Sequence, residues 1–307
     1  MAILEVKNIS KSFGDLKAVD NASFSAPKGS IFGLLGRNGA GKTTTIRMMM
    51  NIYLPDSGEV TYKGITAGPD FNSKVGYLPE ERGLYKKMKV LETLLFFAEI
   101  KGRKGRAVTK LAKEYLKKFD LADRMNSKIE TLSKGNQQKI QFISTLLHDP
   151  EVLILDELFS GLDPINTNIM KDIILELKEK GKIILFSTHV MSFAEKMCDH
   201  IAIIDSGKIK LNGPLAEIKA ERSQRNISLN YEGDISFLRN NSMIENISDY
   251  GNSVGIRVKE EANIQQLLKL LVDNNVEVKK FDANSISLEE IFIDTVGNDF
   301  NKETKHA

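Results

Sequence analysis

The residues best suited to chemistry lie at Gly36-Arg37-Asn38-Gly39-Ala40-Gly41-Lys42-Thr43. Glycines at 36 and 41, followed by Lys42 and Thr43, form the pattern of a loop whose backbone N–H groups turn inward around phosphate. A helix beginning near Lys42 adds the positive end of its dipole. Lys42 then reaches the β- and γ-phosphates, and the Thr43 hydroxyl binds Mg²⁺. Asn38, Gly39 and Thr44 complete the cradle. A glycine-rich turn without a ligand is the plain alternative.

The second candidate is the acidic pair Asp156-Glu157, which follows the apolar run Val152 to Leu155. In a parallel α/β sheet the carboxyl ends of the strands face the ligand. Placed there, Asp156 holds Mg²⁺ and Glu157 polarises an attacking water. Taken alone, such a pair also reads as a helix cap.

These residues need a scaffold. Residues 2–9 alternate as a strand, and Ser30 to Leu34 is a short apolar strand running into the glycine loop. Thr44 to Asn51 is a helix, closed off by Pro55 and Ser57-Gly58, and Glu59 to Lys63 is again a strand. From 85 to 128 apolar residues recur at helical spacing, as at Leu91, Leu94, Leu95 and Ala98, which marks a helical insert. Lys101 to Arg106 is a basic bend. Gln137 to Leu147 and Thr167 to Lys180 are helices, and Val152 to Leu155 and Ile183 to Ser187 are strands covered on both faces. Ile201 to Ile204 and Lys208 to Leu211 form a hairpin across Ser206-Gly207. The alternation implies a doubly wound α/β core. Beyond about residue 220 the pattern changes to a small α+β domain, with strands at 226–231, 252–259 and 276–281 and helices at 263–274 and 287–296.

Composition sets outer limits. The 307 residues suit two domains, with 41% hydrophobic and 27% charged residues in the range of a soluble globular chain. One cysteine, Cys198, excludes an intrachain disulfide and fits a reducing compartment. The first residues do not resemble a signal peptide. No apolar run approaches the ~18 residues of a membrane span, so a span would come from another chain. Residues 221–307 carry 10 basic and 15 acidic side chains, and residues 1–220 carry 33 and 26. No basic stripe interleaved with aromatics points to nucleic acid.

Thr131-Leu132-Ser133-Lys134-Gly135-Asn136-Gln137-Gln138 narrows the class. The phosphate loop, Leu132 to Gln137, Leu155-Asp156-Glu157, Ser160-Gly161-Leu162-Asp163-Pro164 and Ser187-Thr188-His189 occur in that order. The set resembles the ATP-binding cassette (ABC) ATPases over about residues 2–215. The resemblance implies a P-loop cassette with a parallel-sheet core, an N-terminal antiparallel β subdomain and a helical insert at about 85–150. It assigns 1–220 to that cassette and 221–307 to an accessory domain. It implies ATP and Mg²⁺ as ligands and ATP hydrolysis as the reaction. Ser133 and Gly135 resemble the signature residues that close over the γ-phosphate held by a second ATPase subunit, and Ser133 also reads as a helix N-cap. Asp163 resembles the loop aspartate joining the two sites. His189 resembles the switch histidine at the γ-phosphate. Phe13 resembles the aromatic that stacks on adenine, with a core or staple role as its alternative.

Three positions depart from the family pattern. Glu80, closing Val75-Gly76-Tyr77-Leu78-Pro79-Glu80, stands where Gln is common, and a carboxylate there still ligates metal and water. Lys134 and Asn136 replace the more usual Gly and Gln, and Leu158 replaces a common Pro. The tail with Ser287-Leu288-Glu289-Glu290-Ile291-Phe292 resembles ATPases of ABC-2-type efflux systems, and Leu78 to Tyr85 points the same way. That resemblance implies an exporter subunit on the inner face of the cell membrane, powering an integral membrane permease. A soluble, non-transport ABC ATPase is the competing reading.

Overall fold

The computed structural model describes residues 3–303 except Arg82, 160–162, Gln224, 251–252, 260–261 and Asn284, and it describes the backbone alone at Asn240 and 298–303. The chain forms two compact units. One comprises residues 1–189 and 198–212, and the other comprises 190–197 and 213–307.

In the first unit, a sheet of six strands runs in the order Lys208–Pro214, His200–Asp205, Ile31–Leu35, Ile183–Thr188, Val152–Asp156, Val75–Leu78. The last five are parallel. Every residue of Ile31–Leu35, Val152–Asp156 and Ile183–Thr188 is buried, which is why these runs are apolar on both faces. An antiparallel sheet packs beside them, in the order Leu16–Pro27, Ile3–Phe13, Ser57–Tyr62, Ile65–Thr66. Its inward residues Leu4, Val6, Phe24 and Val60 join Phe32, Ile46 and Ile154 in one core. The sequence pattern does not single out Leu16–Pro27. Register shifts between Val6 and Ser12 of its partner strand break the period of two that alternation relies on.

The helical insert consists of Val90–Ile100, Arg106–Lys118 and Lys134–Leu146. The basic bend lies between the first two. The last begins at its N-cap Ser133, whose Oγ accepts from Asn136 N at 3.3 Å. It starts three residues before the position that apolar spacing suggests, because Lys134, Gly135 and Asn136 are polar first-turn residues.

Buried polar groups tie the insert to the sheet. His148 is 6% exposed and its Nε2 donates to the Val75 carbonyl at 3.1 Å. With the proton there, Nδ1 is bare and has no partner. Burial lowers the imidazole pKa to about 4. The unfolded chain takes up the proton first, so the contribution is complete above about pH 6.5 and is lost as pH falls toward 4, amounting to about 3 kcal/mol. His148→Gln is expected to flatten the pH dependence of the urea midpoint across that window. A slope equal to that of the parent protein would contradict this.

The second unit has an antiparallel sheet in the order Ile244–Asp249, Val254–Val258, Asn226–Glu232, Glu277–Ala283. Leu267 and Leu271 of the helix Ile264–Asp273 cover it with Ile227, Leu229 and Ile256. The strand expected at 252–259 is described from Val254, and its first residue, Asn252, lies outside the described residues. The helix Leu288–Glu303 is anchored by Glu290, which is 1% exposed and accepts from Ser228, Ser253 and the backbone of Ser287. The helix Met191–Met197 belongs to this unit through Glu195, which pairs with Lys219 and accepts from Leu288 N.

Candidate functional site

Four loops meet at the carboxyl ends of the parallel strands. The loop after Ile31–Leu35 leads into the helix Lys42–Met49, whose N-cap Gly41 takes φ +109°. A side chain at 41 would be strained by that φ and would also meet Ala18 O at 2.7 Å. Gly36 sits beneath the loop rather than in the cavity, with Ile204 O 2.4 Å from where a Cβ would lie. Lys42 is 5% exposed, and its Nζ donates to Gly36 O at 2.8 Å and Arg37 O at 3.1 Å. The ammonium is therefore held by the loop it belongs to.

The strand Val152–Asp156, separated from Ile31–Leu35 by Ile183–Thr188, delivers the acids. Asp156 is 2% exposed, and burial pushes its carboxyl above the usual range against the hydrogen bond from Ser187. Its Oδ1 accepts from Ser187 Oγ, while Oδ2 is buried with no partner. Glu157 turns out of the strand at φ +50°, a conformation uncommon for a residue with a side chain and concentrated at functional sites. Its N–H donates to Ser187 Oγ at 3.0 Å. The carboxylate lies 3.4 Å from Lys42 Nζ and 3.1 Å from His189 Nδ1. Facing a carboxylate, Nδ1 carries the proton. Glu157 is thus clamped between a buried ammonium and a half-exposed imidazole.

Lys42 and Glu157 line a cavity of about 750 Å³ with residues that include Phe13, Asn38, Thr43 and Glu80, whereas Asp156 and His189 stand behind its lining. Gly39, Gly41 and Thr44 line it as well. Phe13 is 44% exposed and stands edge-on to Tyr53 at 5.3 Å. This leaves a ring face at the cavity wall, so Phe13 is not a core residue. Glu80 follows the strand Val75–Leu78 and lies on the surface of the same wall.

The remaining sequence candidates lie elsewhere. Ser133 and Gly135 head the helix Lys134–Leu146 and do not line the cavity. Asp163 caps the helix Pro164–Glu179, with Oδ1 accepting from Asn166 N at 3.0 Å, and that hydrogen bond lowers its pKa. The other members of its motif, Ser160, Gly161 and Leu162, lie outside the described residues. Lys134 is exposed in the first helical turn, and Leu158 is buried. Two residues carry no sequence signal as site members. Gln138 Nε2 donates to Leu158 O at 2.6 Å, and Gln141 Nε2 donates to Glu81 O at 3.1 Å. A polar residue on the buried face of an apolar helix is the trace they leave in the sequence.

Oxygen donors at Thr43 and Asp156 beside a basic loop fit a polyphosphate with a hard cation. The buried, unpartnered Asp156 Oδ2 is the acceptor such an ion would satisfy. Among the described residues no group of three or more acidic, His or Cys side chains forms a metal cage of its own.

A parallel sheet with a phosphate loop after one strand and an acid pair after its near neighbour defines a P-loop ATPase. The ABC transporter family pattern matches residues 19–160, and the C-terminal domain of DrrA1-3-like ATP-binding proteins matches 213–296. The ABC transporter ATP-binding protein YhaQ of Bacillus subtilis is 41% identical over 295 residues, covering 96% of this chain and 99% of the relative. The fluoroquinolones export ATP-binding protein of Mycobacterium tuberculosis is 31% identical over 283 residues, covering 91% and 88%. A solved ATP-binding subunit of an ABC transporter superposes with a TM-score of 0.69 at 31% identity, covering 73% of this chain and 94% of that one. The chain belongs to the ABC transporter ATP-binding proteins, and it is an ATPase. The cassette fold expected from the motif order is the fold observed.

Proposed function

We propose that this chain powers export through a separate integral membrane permease, working as a dimer on the inner face of the cell membrane. The observation that carries the catalytic part is Glu157, fixed between Lys42 and His189 at the edge of the phosphate cavity. Phosphoryl transfer to water needs positioning and charge neutralisation rather than covalent chemistry. Lys42 and the N–H groups of the loop hold the β- and γ-phosphates. Phe13 packs on the adenine. Thr43, Asp156 and Glu80 hold Mg²⁺, which neutralises charge on the phosphates. Glu157 accepts hydrogen bonding from the attacking water and orients it, and His189 holds Glu157 and the γ-phosphate end of the site.

Gly135 supports the second subunit. It sits in a helix with ordinary φ, and a Cβ there would meet nothing within 4 Å. The fold of one chain therefore gives no reason for a glycine, whereas close approach by a nucleotide bound to another chain does. Ser133, with Gly135, would complete the partner's site, and Asp163 lies on the loop between them.

Two features favour membrane work. Among the described residues no helix is long and apolar enough to cross a membrane. Tyr85, Phe96 and Ile100 are exposed large side chains at 53%, 37% and 62%, with the Tyr85 and Phe96 rings 5.4 Å apart. A clustered apolar patch of this kind marks an interaction surface. Arg82, in the loop expected to join it, lies outside the described residues. Export is supported by the relative named for fluoroquinolones export. Residues 1–220 act as the ATP-binding domain and 221–307 as an accessory domain, a division supported by the compact unit that gathers 213–307.

Affinity purification of tagged chain from detergent-solubilised native membranes tests this reading. A multi-span membrane protein should co-purify and change the ATPase rate. Recovery only in the soluble fraction, bound to soluble partners, would instead support the non-transport reading.

A further inference from the structure

Glu80 lines the phosphate cavity from an exposed loop, and among the described residues no side-chain partner holds its carboxylate. Its place must therefore be set through the backbone. Gln141 does this from another element. It is 6% exposed on the helix Lys134–Leu146. Its Nε2 donates to Glu81 O at 3.1 Å and, at longer reach, to Pro79 O at 3.4 Å. One amide nitrogen, with two N–H groups to offer, thus clasps the carbonyls on either side of Glu80. A buried amide that lost these acceptors would be left unsatisfied, so helix and loop are tied. The same helix holds the other acidic loop, since Gln138 Nε2 donates to Leu158 O beside Glu157.

We propose that Gln141 is a positioning residue for Glu80, and that through it the helix headed by Ser133 and Gly135 sets the metal-side acid of its own subunit. The inference rests on the reading of Glu80 given above. Gln141 touches no reacting atom; it acts by fixing the loop.

The experiment is a double-mutant cycle in the full chain. Gln141→Met keeps the volume and removes the donors. It is expected to lower kcat about tenfold, comparable with the loss of one hydrogen bond in the active arrangement. KM for ATP should stay unchanged, because the phosphate loop is untouched, and the Mg²⁺ concentration that half-saturates the chain holding a non-hydrolysable ATP analogue, measured by calorimetric titration, should rise. Glu80→Ala should show the same two changes, and the double variant should be no slower than Glu80→Ala. If Gln141→Met fails to bind ATP, Gln141→Asn, whose amide is one methylene short, replaces it with the same expectation. Unchanged kcat and Mg²⁺ dependence in the Gln141 variant beside an impaired Glu80→Ala would overturn the positioning role and leave Glu80 standing. So would losses that multiply in the double variant. A Glu80→Ala enzyme with the parent rate and Mg²⁺ dependence would overturn the assignment of Glu80 itself, and this inference with it.

Discussion

Replacing Glu157 with Gln is expected to stop ATP hydrolysis while leaving ATP bound. The amide has nearly the same shape, and the backbone N–H to Ser187 Oγ at 3.0 Å does not depend on the side chain. What disappears is the negative charge that Lys42 and His189 flank at 3.4 and 3.1 Å. A neutral amide cannot draw a proton from the attacking water, and removal of a positioned general base lowers rates by about 10²–10⁴-fold. Lys42, freed from its carboxylate neighbour, keeps its attraction for phosphate, so ATP affinity should be equal or higher. Single-turnover phosphate release beside equilibrium binding of ATP separates the two effects. A variant that hydrolyses ATP at the parent rate would remove Glu157 from the chemistry.

Gly135→Asp carries an expectation of opposite signs for stability and activity. Glycine in a helix interior lowers its stability by about 0.5–1 kcal/mol relative to Ala, and an acid in the first turn gains from the helix dipole. The space around Gly135 is open in the single chain. The isolated variant should therefore be as stable as the parent or slightly more so in urea denaturation. Hydrolysis should nevertheless fall, on the order of 10²-fold, because the new carboxylate would face the γ-phosphate of the other subunit where a donor and a dipole belong. Retained activity would show that Gly135 approaches no nucleotide.

Much of the candidate site was legible because its parts are short, contiguous and tied to strand ends. The glycine loop forces its own conformation through Gly36 and Gly41, and Asp156-Glu157 directly follows a run of apolar residues that is buried throughout. Order along the chain then supplied the class. The residues that were not legible act across the fold. Gln138 and Gln141 resemble ordinary helix residues until the loops at Leu158 and Glu81 are brought to them by the sheet. The strand Leu16–Pro27 was hidden by the irregular register of its partner. Residues 191–197 follow the His189 strand directly, yet belong with the C-terminal unit through contacts of Glu195 made nearly a hundred positions away at Leu288. Ser133 shows the limit from the other side. The sequence allowed both a cap and a phosphate contact, and the single chain displays the cap, since the second role needs another molecule.

If the phosphate cavity is half of a site completed by Ser133 and Gly135 of a second subunit, the mass of Glu157→Gln in solution decides it, measured by sedimentation with and without ATP and Mg²⁺ and with and without a second change, Gly135→Asp. Glu157→Gln is expected to dimerise when ATP is present, and the double variant to stay a monomer that still binds ATP. A monomeric Glu157→Gln protein saturated with ATP, or a double variant that dimerises as well as the single one, would contradict it.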